Sequence, residues 1–184
     1  MNLTQIQEDV KNTLSENRYY HSKCVMDMCE ELAIIYNIDI EIAKKVGIAH
    51  DIAKEMSADE KLRYAFENGI EVDDVEKVKT GLLHAKIGAD IAIKKYGFTP
   101  EMGQAICDHT TGNRNMSILS KILYIADWTG EDRKLPEAKQ IKKLAKTNID
   151  EAMIYALEIV FKQHISERRT NSYKQYFSKK LFDK

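Results

Sequence analysis

Apolar residues along this chain recur at intervals of three and four, and only eight Gly and two Pro in 184 residues interrupt them. A period near 3.6 with so few breakers predicts an all-α protein. Thr4 with Gln7 reads as a capping box ahead of Ile6, Val10 and Leu14, and Ser57 with Glu60 repeats it before a stop at Gly69. These predict helices near 4–16 and 57–68. Cys24, Val25, Met28, Leu32 and Tyr36 trace one face of a helix near 18–36, and Ile42, Val46 and Ala49 trace another from Asp39. Thr99-Pro100-Glu101 supplies a cap, a proline at the first helical position and an acid in the first turn, for a helix to about Asp108.

Ser117 caps ILSKILYIADW, which is apolar nearly all round and so predicts a central helix buried by several neighbours. Only Ser120, Lys121 and Asp127 break its apolarity. Ile141 and Leu144, then Ile149, Met153, Ala156, Leu157 and Val160, predict two more amphipathic helices. Tyr173, Tyr176, Phe177 and Leu181 mark a last stretch that packs as a helix or frays. No repeat, low-complexity tract or long linker divides the chain, so one domain over 1–184 is expected. Segments 110–116 and 129–136 are the loops in which function is expected.

Lys+Arg 28 against Asp+Glu 29 leaves a net charge of −1, which argues against nucleic-acid or membrane-surface binding. The start MNLTQIQEDV lacks the basic and apolar regions of a signal peptide, and no stretch nears the roughly 20 apolar residues of a membrane span. A cytoplasmic protein is expected. Cys24, Cys29 and Cys107 are odd in number, show no CxxC spacing, and read as small buried hydrophobes.

The informative residues are polar ones on apolar faces. His21 lies four residues before Val25 and seven before Met28; His84 stands likewise with Ile87 and Ile91. His109 ends the stripe of Met102, Ala105 and Ile106, His50-Asp51 closes the run VGIA, and Asp127 terminates the buried helix. A buried carboxylate costs several kcal/mol or more unless it is paired or bound to a metal. One divalent cation shared by Asp51, Asp127 and several imidazoles is the simplest compensation. Imidazole and carboxylate suit iron, manganese, zinc or cobalt, and open coordination positions would generate hydroxide near neutrality, as in a hydrolase.

Each residue alone is a weak signal, and a lone histidine on an apolar face reads more readily as a hydrogen-bonded core group; the order carries the signal. His21, His50-Asp51, His84, His109 and Asp127, each group on its own predicted helix, resemble the HD superfamily of metal-dependent phosphohydrolases. More specifically, HDIAK from His50, LLHAKIGA from Leu82 and HTTGNRNMSILSKILYIADWTGEDR from His109 resemble the bacterial YqeK-type symmetrical diadenosine-tetraphosphate hydrolases. The resemblance runs from about Arg18 to the helix around Ile159. One departure is visible: the family usually carries a Glu-Pro pair shortly before the arginine, where this chain has TGEDR.

The resemblance implies a single HD-domain helical bundle, with a metal-site core about 18–133 and C-terminal helices about 137–184. It implies His21, His50, Asp51 and Asp127 as metal ligands, with His84 and His109 either completing a second metal site or serving phosphate. The cofactor it implies is one or two divalent transition-metal ions, iron first, with manganese or cobalt as alternates. Lys54, near the edge of Asp51 if the helix continues past the doublet, is expected to neutralise phosphate charge. Thr110, Thr111 and Gly112 offer hydroxyls and backbone N–H groups, and Arg133 a bidentate grip. Asp51, Lys54, His84 and His109 are thus the expected catalytic groups. His21, Asp127, Arg133, Thr110, Thr111 and Gly112 join them in substrate contact.

The implied reaction is attack of metal-bound hydroxide on a central phosphorus of a dinucleoside tetraphosphate, giving two ADP. A homodimer is left open. Another HD-type phosphohydrolase, acting on a nucleoside mono- or triphosphate or a cyclic dinucleotide, is the nearest alternative; a non-catalytic metal- or nucleotide-binding regulatory domain is the other. Trp128 reads as core rather than a base-stacking group, His164 as a helix-face residue, and Arg168-Arg169 and Lys179-Lys180 as solvated surface.

Overall fold

The structure, a computed structural model, describes residues 1–166. Ten α-helices and one 3₁₀ turn form the regular structure of those residues, with no strand among them. The readings of Tyr173, Tyr176, Phe177, Leu181, Arg168-Arg169 and Lys179-Lys180, and of the His164 side chain, lie outside what is described.

Helix α1 (Leu3–Thr13) starts earlier than Thr4 suggests. Asn2 has the same spacing to Gln5 as Thr4 has to Gln7, and it is Asn2 that closes the capping box, leaving Thr4 inside the first turn. Helix α2 (Glu16–Tyr36) opens at Ser15, whose Oγ accepts from Arg18 N and donates to Glu55 Oε1, and ends at Asn37 in the left-handed region. Asp39 caps α3 (Ile40–Ala49), and the Ser57–Glu60 box opens α4 (Ala58–Glu67). Residues 69–82, where periodicity predicts no element, hold a short α5 (Asp74–Val78) with its own Asp73–Glu76 box and a 3₁₀ turn (Thr80–Leu82). After α6 (Leu83–Tyr96), Thr99 and Pro100 start α7 (Pro100–Asp108), and Ser117 caps α8 (Ile118–Thr129). Helices α9 (Ala138–Ala145) and α10 (Ile149–Ser166) follow.

Helix α8 is the centre of the bundle, packed by α2, α3, α7, α9 and α10. Its Leu119, Ile122, Leu123, Tyr124, Ile125 and Ala126 are buried, each large aliphatic one contributing roughly 1.5–3 kcal/mol. The three polar breaks are all accounted for: Ser120 Oγ donates to Asp108 Oδ2 at 3.0 Å, Lys121 reaches Asp150 at 2.6 Å, and Asp127 enters the site described below. Among the described residues, no helix is long and apolar enough to cross a membrane.

Two local features bring the site together. At Gly47, a Cβ would stand 2.8 Å from Met26 Cα, so α3 can lie against the backbone of α2 only because residue 47 has no side chain. That contact fixes His50 relative to His21. Helix α3 then stops at Ala49 rather than continuing past the doublet. Residues 50–55 form successive turns, with Ile52 N donating to Ala49 O and Lys54 N to Asp51 O. The buried Lys61 ammonium donates to the carbonyls of Lys54 and Met56 at 3.0 and 2.5 Å and so pins those turns.

Candidate metal centre

Three histidines share one local geometry. His50 Nδ1–H donates to Gly47 O at 2.8 Å, His84 Nδ1–H to Gly81 O at 2.5 Å, and His109 Nδ1–H to Ile106 O at 2.6 Å. His50 and His109 follow the last residues of α3 and α7, where helix carbonyls lack amide partners and a side chain three residues on can supply the donor. A ring that gives its Nδ1 proton away presents a lone pair at Nε2. All three Nε2 atoms converge: those of His84 and His109 lie 3.1 Å apart, and that of His50 is buried without any hydrogen-bond partner.

Asp51 sits between them. Its Oδ2 lies 3.4 Å from His50 Nε2, 3.9 Å from His21 Nε2 and 3.0 Å from Arg18 Nη1; its Oδ1 lies 3.2 Å from His84 Nε2 and 3.6 Å from His109 Nε2. None of the Oδ1 approaches is aligned as a hydrogen bond, so that oxygen is a buried orphan. On the far side of His21, Asp127 Oδ1 stands 3.0 Å from Nε2 and Asp132 Oδ2 2.8 Å from Nδ1. Arg133 folds back onto Asp127: Nη2 pairs with Oδ1, and Nε donates to the Asp127 carbonyl at 2.6 Å.

The electrostatics follow from this packing. Burial opposes charge on Asp51, but the neighbouring imidazoles of His50, His109 and His84 outweigh it and hold the carboxyl well below its usual range. Burial likewise opposes charge on Asp127, and His21, His50 and Arg133 outweigh it in the same direction. For His21, burial favours the neutral ring, yet the carboxylates of Asp127 and Asp132 raise its pKa. Burial pushes His84 down to about 4 against the pull of Asp51, and the nearby His109 and Lys54 charges add to the push. The packing therefore favours the ionised form of both carboxylates.

An orphaned Nε2 and an orphaned carboxylate oxygen in one buried cluster are what a cation would satisfy. The ligand atoms of His21, His50 and Asp127 all lie within 4.8 Å of one another, and so do those of His50, Asp51 and His109. Both groups share His50. The N/O donor set fits a divalent transition metal.

Of the residues expected from sequence, His21, His50, Asp51, His84, His109 and Asp127 thus meet in one cluster, from α2, the end of α3, α6, the end of α7 and α8. Lys54 joins them although its helix does not continue: the turns place Nζ 3.8 Å from Asp51 Oδ1 and 3.2 Å from His84 Nε2. A cleft of about 280 Å³ opens beside it, lined by Lys54, Lys79, Gly81, Leu82, His84 and Thr110. Thr110 Oγ1 lies 3.5 and 3.4 Å from the Nε2 atoms of His84 and His109. Its neighbours do not line the cleft: Thr111 and Gly112 are buried, and Gly112 N donates to Asp108 O. Trp128 is partly buried against the main core.

Sequence reasoning missed Arg18, Asp132, Lys61 and Lys79. Arg18 had a usable signal, since it lies one turn before His21 on the same face of α2. Lys61 comes from the predicted helix α4, but its inward ammonium is not marked by periodicity, and Lys79 and Asp132 are brought in by turns outside the long helices.

The HD domain family model matches residues 18–132, the span that carries every one of the clustered histidines and both Asp51 and Asp127. The chain is 35% identical over 158 residues to the symmetrical bis(5'-nucleosyl)-tetraphosphatase of Halalkalibacterium halodurans, covering 85% of this chain and 84% of that one. It is 30% identical over 159 residues to the Bacillus subtilis protein of the same name, covering 86% and 85%. A crystal structure from Clostridium acetobutylicum, described as a predicted HD superfamily hydrolase involved in NAD metabolism, matches with a TM-score of 0.87 at 33% identity over 91% of this chain and 89% of that one. A clustered His/Asp centre inside the matched span, and likeness over most of both chains, lead to one assignment: this chain belongs to the HD-domain family of metal-dependent hydrolases, within its symmetrical bis(5'-nucleosyl)-tetraphosphatase branch.

Proposed function

We propose that the protein cleaves diadenosine tetraphosphate at its central bridge into two ADP, with His21, His50, Asp51 and Asp127 holding an iron ion for which manganese or cobalt can substitute. The observation that carries this reading is the position of Asp51, whose Oδ2 faces the His21/His50 side while Oδ1 faces His84, His109 and the Lys54 cleft. A phosphate placed in that cleft would lie next to the metal-binding carboxylate. A bound divalent cation supplies Lewis acidity and lowers the pKa of a water molecule toward neutrality.

The chain's own residues do the rest. Lys54, with a side chain about one-third exposed, offers charge to the phosphate chain, and Arg18 and Arg133 flank the opposite side of Asp51 and His21. Thr110 Oγ1 can donate to a phosphate oxygen at the cleft wall. His84 is neutral in the free protein, held there by burial, His109 and Lys54; an anionic phosphate beside it favours the protonated ring, which can then donate to the departing ADP oxygen.

The test is a product analysis. Chelator-stripped protein should be inactive and should recover with Fe²⁺, Mn²⁺ or Co²⁺; in ¹⁸O-water the first products should be labelled and unlabelled ADP. Equal early yields of AMP and ATP would refute the central cut, and full activity without metal would refute the metal reading.

A further inference from the structure

Four imidazoles meet in the centre, and three are oriented by backbone carbonyls through Nδ1. His21 differs. Its Nδ1 faces the Oδ2 of Asp132 at 2.8 Å, a side-chain acceptor from the loop after α8. Carboxylate oxygens only accept, so this contact keeps the proton on Nδ1 and aims Nε2 at the cluster, toward Asp127 and Asp51. We propose that Asp132 is the positioning residue for His21 in metal binding, and that the loop from Gly130 to Arg133 is shaped to deliver its carboxylate.

Two further observations support this. Asp132 Oδ1 is buried and has no hydrogen-bond partner, so the carboxylate is held in place at a cost that its Oδ2 contact must offset. Gly130 has an ordinary backbone conformation, φ −54° and ψ 153°, so glycine is not needed there for torsional freedom. It is needed for room: a Cβ at residue 130 would stand 2.8 Å from Asp132 Oδ1 and 3.3 Å from Cys24 Cβ. Arg133 N donating to Gly130 O at 2.9 Å closes the turn around that space.

The proposal rests on the metal reading above, not on the identity of the substrate, and it is tested on the full chain with Co²⁺ alone. Chelator-stripped wild type, Asp132→Ala, Asp132→Asn, Gly130→Ala and the neighbouring surface control Glu131→Ala are titrated with Co²⁺, following the visible absorption of the bound ion and competition with a chelator. Asp132→Ala should lose on the order of 10–100-fold in affinity with an unchanged far-ultraviolet circular dichroism spectrum. Asp132→Asn, whose amide oxygen still accepts from Nδ1, should fall between it and wild type. Gly130→Ala should resemble Asp132→Ala, because it displaces the carboxylate without removing it, and combining the two should cost little more than Asp132→Ala alone. Affinity of Asp132→Ala within twofold of wild type would overturn the proposal. Should that variant not fold, Asp132→Asn and Gly130→Ala both within twofold would do the same. Wild type that binds no Co²⁺ would overturn the metal reading itself.

Discussion

His84 and His109 touch each other through Nε2, yet their surroundings differ, and we propose different work for the two. His109 shares a metal-capable group with His50 and Asp51, whereas His84 lines the cleft with Lys54 and Thr110. His109→Ala is therefore expected to lower metal content, while His84→Ala keeps it and loses turnover by about 10²–10⁴-fold, the scale of a general acid. Metal analysis beside single-turnover kinetics checks both; equal metal loss in the two variants would mean that they share a second ion. These residues were legible in the sequence because a histidine or aspartate on an apolar stripe must be compensated once buried. Asp132 was not, since a charged residue in a polar loop carries no such contradiction. The one hint was the TGEDR segment itself, where the chain departs from the Glu-Pro pattern.

At the scale of elements, the caps at Ser57, Thr99 and Ser117 were readable because each pairs a side-chain acceptor with a nearby amide inside a few residues. The α1 start was misplaced because two acceptors compete at the same spacing. The sequence leaves open whether α3 continues past the His50-Asp51 doublet, and it does not continue. What ends the helix is tertiary: Lys61 takes the carbonyls of Lys54 and Met56, and Ser15 binds Glu55. The approach of α3 to α2 at Gly47 was equally invisible, although it sets the distance between His50 and His21. Gly47→Ala places a methyl 2.8 Å from the Met26 backbone, which cannot step aside as a side chain can. The expected cost is about 1–3 kcal/mol, with a fall in metal affinity as well as in melting temperature. Calorimetry of the metal-free variant separates these effects, and wild-type stability would show that the helices part without penalty.

Over the whole molecule the centre is a junction. Its clustered side chains come from α2, the turns after α3, α6, the end of α7 and α8, elements that span residues 16–129 and otherwise meet through the core. Without a cation, Asp51 Oδ1 and His50 Nε2 are buried and unpartnered, so the fold carries a local cost at the point where five of its described helices converge. A metal that binds this arrangement and not the unfolded chain must stabilise all of those elements together. At free metal about one-hundredfold above its dissociation constant the gain is about 2.7 kcal/mol. At roughly 2–4 °C per kcal/mol for a chain of this size, the melting temperature should rise by about 5–11 °C on adding Mn²⁺ or Co²⁺ to chelator-stripped protein. Asp51→Ala should melt at a temperature indifferent to the ion, because it removes the carboxylate whose two oxygens face the two sides of the cluster. Differential scanning calorimetry with and without metal measures both. A wild-type shift no larger than that of Asp51→Ala would mean that the convergence of these side chains does not hold an ion in the folded protein.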